Sequence, residues 1–419
     1  MTRFTQLSDA EKQQLASELK QQYEAFAAQK LDLDMTRGKP GPQQLDLAND
    51  LLTMEDYRDA SGTDCRNYGG LDGLPEMKQL FADILEIQPA NVIIGGNSSL
   101  TLMFDTLARA CLFGVSESAT PWQGQSARFL CPSPGYDRHF TASQTLGLES
   151  IVVDMTEHGP DMDQVEALVA ENASIKGIWC VPKYSNPTGI TYSDEVVERL
   201  ASMKTSASDF RIMWDNAYAE HHFSGELDPV KEIIAACEAA GNPDRAYVFA
   251  STSKISFAGS GVAAFASSPA NVAWAKKIIS AQSIGPDKIN QLRHIKLFPD
   301  LPALREHMNR HAALLAPKFE RVEQVLSAEL GDADIARWTQ PRGGYFTSLD
   351  LEHGSAKRTI ELSAELGVKL TAAGATFPYG NDPQDRNIRI APSFPGVEEI
   401  DTAMRVLSLC VKLATLEAL

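Results

Sequence analysis

Lys254 ends the run Ser251-Thr252-Ser253-Lys254, directly after an apolar stretch that reads as a strand. A lysine hemmed in by small hydroxyl residues loses solvation, stays neutral more readily and can attack a carbonyl. Three other groups stand at workable distances along the chain: Asn186-Pro187-Thr188-Gly189, Asp215 with Tyr218, and Arg389 within Asn387-Ile388-Arg389-Ile390. An amine nucleophile, a carboxylate, hydrogen-bond donors and a planar cation together form the parts of a carbonyl-cofactor site that handles amino acids.

Such chemistry needs a lysine that forms a Schiff base, a carboxylate that keeps a pyridine nitrogen protonated, and donors for a ring oxygen and a phosphate. Asp215 closes the strand-like run 211–214, and in doubly wound folds ligands sit beyond the carboxyl ends of the strands. Alone, it reads as a turn or capping residue. Asn186 and Tyr218 can donate to one ring oxygen from two sides, although Asn-Pro-Thr-Gly by itself is an ordinary tight turn. At Gly95-Gly96-Asn97-Ser98-Ser99 a strand meets a helix through a glycine turn, the geometry in which free N–H groups bind phosphate. Tyr136 is placed to lie flat on a ring or to belong to the core. Arg389 offers a fork matched to a carboxylate, or is an exposed strand residue. Taken together, the groups read as a pyridoxal 5′-phosphate site.

These residues must be positioned by an alternating scaffold. Apolar runs at 92–95, 128–131, 150–153, 177–181, 211–214, 246–250 and 262–266 are separated mostly by helical segments, the pattern of a mostly parallel sheet covered on both faces. Leu100, Met103, Phe104, Leu107 and Cys111 mark one face of a helix that Asn97, Ser98 or Ser99 can cap. Residues 9–30 read as a polar amphipathic helix, followed by the extended segment 32–42 rich in glycine and proline. A long helix at 303–330, a Gly343-Gly344 turn and a helix from Val397 mark a smaller α+β unit. The expected organisation is an arm over 1–45 packing on the small unit, a large domain over 46–300 and a small domain over 301–419.

A chain of 419 residues with 43% apolar and 22% charged residues can bury a large core. Its net charge of −17 argues against nucleic acid, which demands a basic face. No segment approaches the roughly 18 apolar residues of a membrane span. Six scattered cysteines without close pairs read as buried free thiols in a reducing compartment, so a cytoplasmic protein is expected. Ser251-x-x-Lys254 lacks the partner motifs of serine acyl enzymes. Gly259-Ser260-Gly261 leads into a strand where a dinucleotide site needs a helix. His221-His222 beside Glu220 reads as a polar turn rather than a metal site, and no metal is expected.

In their order and spacing, Asn186-Pro187-x-Gly189, Asp215-x-x-Tyr218, Ser251-x-Ser253-Lys254 and Arg389 resemble the class I and II aminotransferases of PLP fold type I over essentially the whole chain. Arg37-Gly38-Lys39-Pro40-Gly41, Asn67-Tyr68-Gly69-Gly70 and Pro182-Lys183-Tyr184-Ser185 resemble a bacterial aspartate aminotransferase subgroup, type Ic. The resemblance implies an α/β fold with a seven-stranded, mostly parallel sheet sandwiched by helices, plus the smaller α+β domain. It implies that Lys254 carries the cofactor and shuttles the proton, Asp215 pairs the ring nitrogen, and Asn186 and Tyr218 hold the ring oxygen. Gly96, Asn97, Ser98, Ser251 and Ser253 would cup the phosphate, and Tyr136 would stack on the ring. Gly38, Asn186 and Arg389 would bind substrate, with Tyr68 reaching the neighbouring subunit's phosphate in a homodimer whose active sites lie at the interface. The family's phosphate arginine, eight residues after the lysine, is Val262 here. A second substrate cation has only candidates: Arg37, Lys39, Arg66 and Arg138.

The activity so implied is transfer of an amino group between L-aspartate and 2-oxoglutarate, with small amino and 2-oxo acids as the partners. A transaminase of another amino acid, or a PLP-dependent β-lyase, fits the same scaffold, because Lys254 and Asp215 do not fix the fate of an α-carbanion. A non-catalytic PLP-binding regulator would need a DNA-binding domain, for which the residues before the core are too few and not basic.

Overall fold

A computed structural model describes residues 4–118, 120–224 and 227–419. Its centre is a sheet of eight strands among the described residues, in the order Val92–Ile94, Ala263–Ala266, Ala246–Ser251, Arg211–Asp215, Ile175–Cys180, Arg128–Ser133, Glu149–Thr156 and Gly159–Pro160. The seven runs expected from sequence are all strands. Gly159–Pro160 joins them at the edge as a two-residue antiparallel return onto Glu149–Thr156, too short to leave an apolar run. Ala263–Ala266 is antiparallel to both its neighbours, and the five strands from Ala246–Ser251 to Glu149–Thr156 run parallel.

The central strands are buried at every position, as a sheet covered by helices on both faces requires. One face packs on the core of Leu80, Phe81, Val197, Leu200 and Cys237. The other packs on Met103, Leu107, Trp122 and Phe140. The helix Ser99–Phe113 follows Val92–Ile94 through a turn in which Gly95 has no room for a side chain, since a Cβ there would sit 2.4 Å from Leu102 Cδ2. Glycine at that point lets the helix start directly over the strand end.

A second core gathers the antiparallel strands Ala336–Trp338, Thr347–Leu351 and Asn387–Ile390 with the helices Ala356–Glu365 and Val397–Ala418. The N-terminal arm contributes to it: Phe4, Leu19 and Met35 are buried there, and Leu33–Asp34 pairs in parallel with Val368–Lys369. Residues 1–3 of the arm lie outside the described residues. The helix Leu301–Leu330 serves both cores, with Leu304 and Met308 in the first and Val322, Val325 and Leu326 in the second. A boundary near residue 300 therefore falls just before an element that ties the two cores together.

All six cysteines are buried and free, and burial pushes the Cys131 thiol up to about 12. Among the described residues no helix is long and apolar enough to cross a membrane, and no cluster of ligating side chains could hold a metal ion.

Candidate active site

The carboxyl ends of the central strands open into a cleft of about 680 Å³, lined by Thr36 to Lys39, Ser98, Tyr136, Asn186, Asp215, Tyr218, Ser251, Ser253, Lys254 and Arg389 among others. Parallel strands end at one level, so the residues that follow them converge. Asp215, last in its strand, pairs in register with Phe249, two residues before Ser251.

Loss of solvation lowers the pKa of Lys254, and the charge of Asp215 opposes that shift only in part. Its Nζ lies 4.9 Å from the ring centre of Tyr218, whose own pKa is raised well above the usual phenol value by burial first and then by Tyr136, Asp215 and Tyr345. A buried amine in this setting favours its neutral, nucleophilic form.

Asp215 is 3% exposed. Its Oδ2 accepts from His139 Nε2 at 3.0 Å, while Oδ1 is buried with no partner among the described residues. An orphaned carboxylate oxygen in a cleft wall is costly unless a donor arrives there. His139 is clamped flat on Trp179 at 4.2 Å between ring centres, and Trp179 Nε1 donates to Ser143 Oγ at 2.9 Å. Nothing in the sequence singles out His139 beyond its place three residues after Tyr136, one helical turn on. Tyr136 precedes the helix Asp137–Thr145 as its N-cap and stands edge-on to His139 at 4.8 Å.

At the far wall, Ser98 is the N-cap of Ser99–Phe113 but makes no side-chain capping bond, so the first helical N–H groups remain available to an anion. Ser251 Oγ donates to Ser253 Oγ and Ser253 Oγ to the Asn97 carbonyl, each at 3.0 Å. Gly96 and Asn97 border this corner without lining the cleft, and the Asn97 amide is turned to the Gly259 carbonyl. Val262 is buried, so the position at which the resemblance places an arginine supplies no charge here. Tyr68 is 83% exposed and outside its own cleft. The loop that bears it is pinned by buried Lys288, whose Nζ donates to the carbonyls of Asn67 and Gly69.

Arg389 enters from Asn387–Ile390 and is buried. Its Nη1 donates to Asp137 Oδ1 at 3.0 Å and to Asn186 Oδ1 at 3.3 Å, and its Nη2 to Thr371 Oγ1 at 3.3 Å. With Oδ1 of Asn186 engaged, its amide nitrogen is the end left to donate elsewhere. Gly38 passes so close to Phe346 that a Cβ would sit 2.3 Å from the ring. Of the candidate second cations, Arg37, Lys39 and Arg138 line the cleft, whereas Arg66 pairs with Asp64 and stacks on Tyr57.

Behind Lys254 lies a set of buried groups that the sequence does not announce. The lysine's carbonyl accepts from the Tyr345 hydroxyl at 3.3 Å and from His221 Nε2 at 3.4 Å, and the Ile255 carbonyl from His307 Nε2 at 2.8 Å. His221 is thus buried scaffold where the sequence predicts a polar turn. It packs edge-on to both Tyr218 and Tyr345, aromatic partners that the pair His221-His222 alone gives no means to foresee.

The aspartate amino-transferase family model matches residues 7–419. The chain is 46% identical over 414 residues to the aspartate aminotransferase of Corynebacterium glutamicum, covering 98% of this chain and 96% of that one. It superposes with a TM-score of 0.97 and 44% identity on a solved aspartate transaminase structure from Corynebacterium glutamicum, over 99% of each chain. The fold is also shared, at a TM-score of 0.73 and 20% identity over 92% of this chain and 94% of the other, with an α-aminoadipate aminotransferase of Thermus thermophilus complexed with N-(5′-phosphopyridoxyl)-L-leucine.

Proposed function

The chain belongs to the aspartate aminotransferase family, and from that membership we propose that it is a pyridoxal-phosphate enzyme moving the amino group between L-aspartate and 2-oxoglutarate. The observation that carries the reading is the buried, unpartnered Oδ1 of Asp215 in the same cleft as the desolvated Lys254, because it fits a pyridinium N–H. Pyridoxal phosphate, when bound, supplies the electron sink that makes the α-hydrogen of an amino acid labile.

The chain's own groups divide the remaining work. Asp215 would hold the ring nitrogen's proton through Oδ1, while His139 fixes the carboxylate by donating to Oδ2. Tyr218 and the Asn186 amide would hold the ring oxygen, and Tyr136 would cover the ring. Ser251, Ser253 and the N-terminus of Ser99–Phe113, with Gly96, Asn97 and Ser98 beside it, would take the phosphate. Lys254, whose pKa desolvation lowers, would be the base that accepts the α-proton at Nζ and returns it. The Tyr345, His221 and His307 bonds to the carbonyls of residues 254 and 255 fix the backbone that carries that amine.

Arg389 would clamp the α-carboxylate, with Gly38 beside it. Arg37, Lys39 and Arg138 are the cations placed to read a side-chain carboxylate. The exposed Tyr68 on its pinned loop supports a homodimer in which that residue completes the neighbour's phosphate site. We read 1–45 as the arm, 46–300 as the cofactor domain and 301–419 as the small domain, and the six buried free thiols support a cytoplasmic setting.

The test is to mix the purified protein with a panel of amino and 2-oxo acids while following the cofactor spectrum and identifying products. Spectral cycling with oxaloacetate formed from aspartate supports the reading. Release of ammonia with a 2-oxo acid would instead mark a β-lyase, and spectral change without any product a sensor.

A further inference from the structure

The fork of Arg389 already carries a carboxylate of the chain itself. Asp137 Oδ1 lies 3.0 Å from Arg389 Nη1, and Nε of the same guanidinium is buried without a partner among the described residues. The two residues come from different parts of the fold: Asp137 opens the helix after the Arg128–Ser133 strand, and Arg389 lies on the small antiparallel sheet. Asp137 is also offered a second cation, since Arg138 Nε stands 4.0 Å from its Oδ2. The Arg389 side chain is 8% exposed and that of Asp137 32%, which makes the arginine the fixed partner and the aspartate the one free to turn.

We propose that Asp137 is a built-in carboxylate competitor at Arg389, and so a determinant of how tightly the enzyme takes its substrates. The proposal rests on reading Arg389 as the α-carboxylate clamp. A buried guanidinium without a counter-charge is unfavourable, and Asp137 supplies one through a single oxygen. A substrate carboxylate that engages the fork with both oxygens, and brings further contacts of its own, outcompetes that single bond. Each anion that takes the fork must displace Asp137 first, so each loses the same factor in apparent affinity. When displaced, Asp137 turns to Arg138 and keeps an ionic partner, so the exchange costs little. Asp137 therefore lowers the affinity of every anion that needs the fork, substrates included, by a common factor.

Asp137→Asn keeps an oxygen acceptor for Nη1 and removes only the charge. Measured on the holoenzyme, KM for both the amino acid and the 2-oxo acid should fall about three- to tenfold, as expected for loss of a half-buried ionic competitor. The dissociation constants of acetate and succinate, determined by calorimetry, should fall with them and by a similar factor. A merely positioning Asp137 predicts otherwise: Asn would leave KM unchanged, Ala would raise it, and either result overturns the proposal. If Asp137→Asn folds poorly, Asp137→Ser, which also removes the charge, must show the same tightening of acetate or the idea is wrong. The functional reading fails separately, if wild-type enzyme transfers no amino group to any 2-oxo acid. The ratio of anion affinities between variant and wild type still judges Asp137 in that case.

Discussion

Acid should loosen the scaffold behind Lys254, and the size of the effect follows from one histidine. His311 is 1% exposed, with Nε2 at 3.0 Å from His307 Nε2 and Nδ1 at 3.1 Å from Gln44 Nε2. Gln44 also donates to the Tyr345 hydroxyl at 3.0 Å, and Arg310 donates to His307 Nδ1 at 3.1 Å. The side chains around this imidazole pair are donors, and the one acceptor beside it, the Ile255 carbonyl, already accepts from His307 Nε2, so an added proton on His311 is poorly accommodated. Burial first, and then His307, push the His311 pKa from 6.5 down to about 3. Between those values the unfolded chain binds a proton that the folded chain refuses, so stability is lost as pH falls below the ordinary histidine range. From pH 7 to pH 5 that single group contributes a loss of about 2 kcal/mol, at about 1.4 kcal/mol per pKa unit. Burial lowers the pKa values of His221, His294 and His307 as well, which adds in the same direction. Urea denaturation of the wild type and of His311→Gln at both pH values isolates the contribution, because glutamine does not titrate. Wild type should lose about 2 kcal/mol more than the variant. Parallel losses in the two proteins would refute the assignment of a neutral, proton-refusing His311.

Borohydride reduction of the wild type should fix the cofactor on the peptide containing Lys254, and Lys254→Ala should take no label; a label on another lysine removes Lys254 from its role. Asp215→Asn, which leaves His139 stacked on Trp179 but cannot hold a ring-nitrogen proton, should lower turnover roughly a hundredfold or more. Near-normal turnover of that variant would exclude Asp215 from the mechanism. Arg389→Lys keeps the charge and loses the fork, so KM should rise about tenfold for amino and 2-oxo acids alike. A loss confined to dicarboxylic substrates would assign Arg389 to the side chain instead. Gly38→Ala places a Cβ 2.3 Å from Phe346 Cζ and should cost about 1–3 kcal/mol in denaturation while raising KM, and an unshifted midpoint would show that the segment yields there without strain.

Legible and illegible features separate along a physical line. Groups on a sharp change of chain direction leave a local trace, because the turn itself needs glycine, proline or asparagine: Asn186 in Asn-Pro-Thr-Gly, and the Gly95-Gly96 turn that opens Ser99–Phe113. Asp215 and Lys254 are legible because the first closes and the second follows a buried strand, and the strand end is where such a residue can face a ligand. His139 leaves no comparable trace. Its role depends on the helix Asp137–Thr145 passing beside a residue 76 positions further along the chain, a contact that only tertiary packing creates. The same holds for His221, His307 and His311, whose bonds link the lysine's backbone to the segment after Asp215, the long helix Leu301–Leu330 and, through Gln44, the N-terminal arm. Hydrophobic periodicity says where a helix is apolar, and is silent on which of its polar residues will be buried with a partner. The two classes of residue are nonetheless bound by one requirement. A desolvated lysine and an orphaned carboxylate persist in a protein only if the surroundings hold them there. His139 and the buried histidines supply that hold, so their removal should disturb the site without touching any residue that meets substrate.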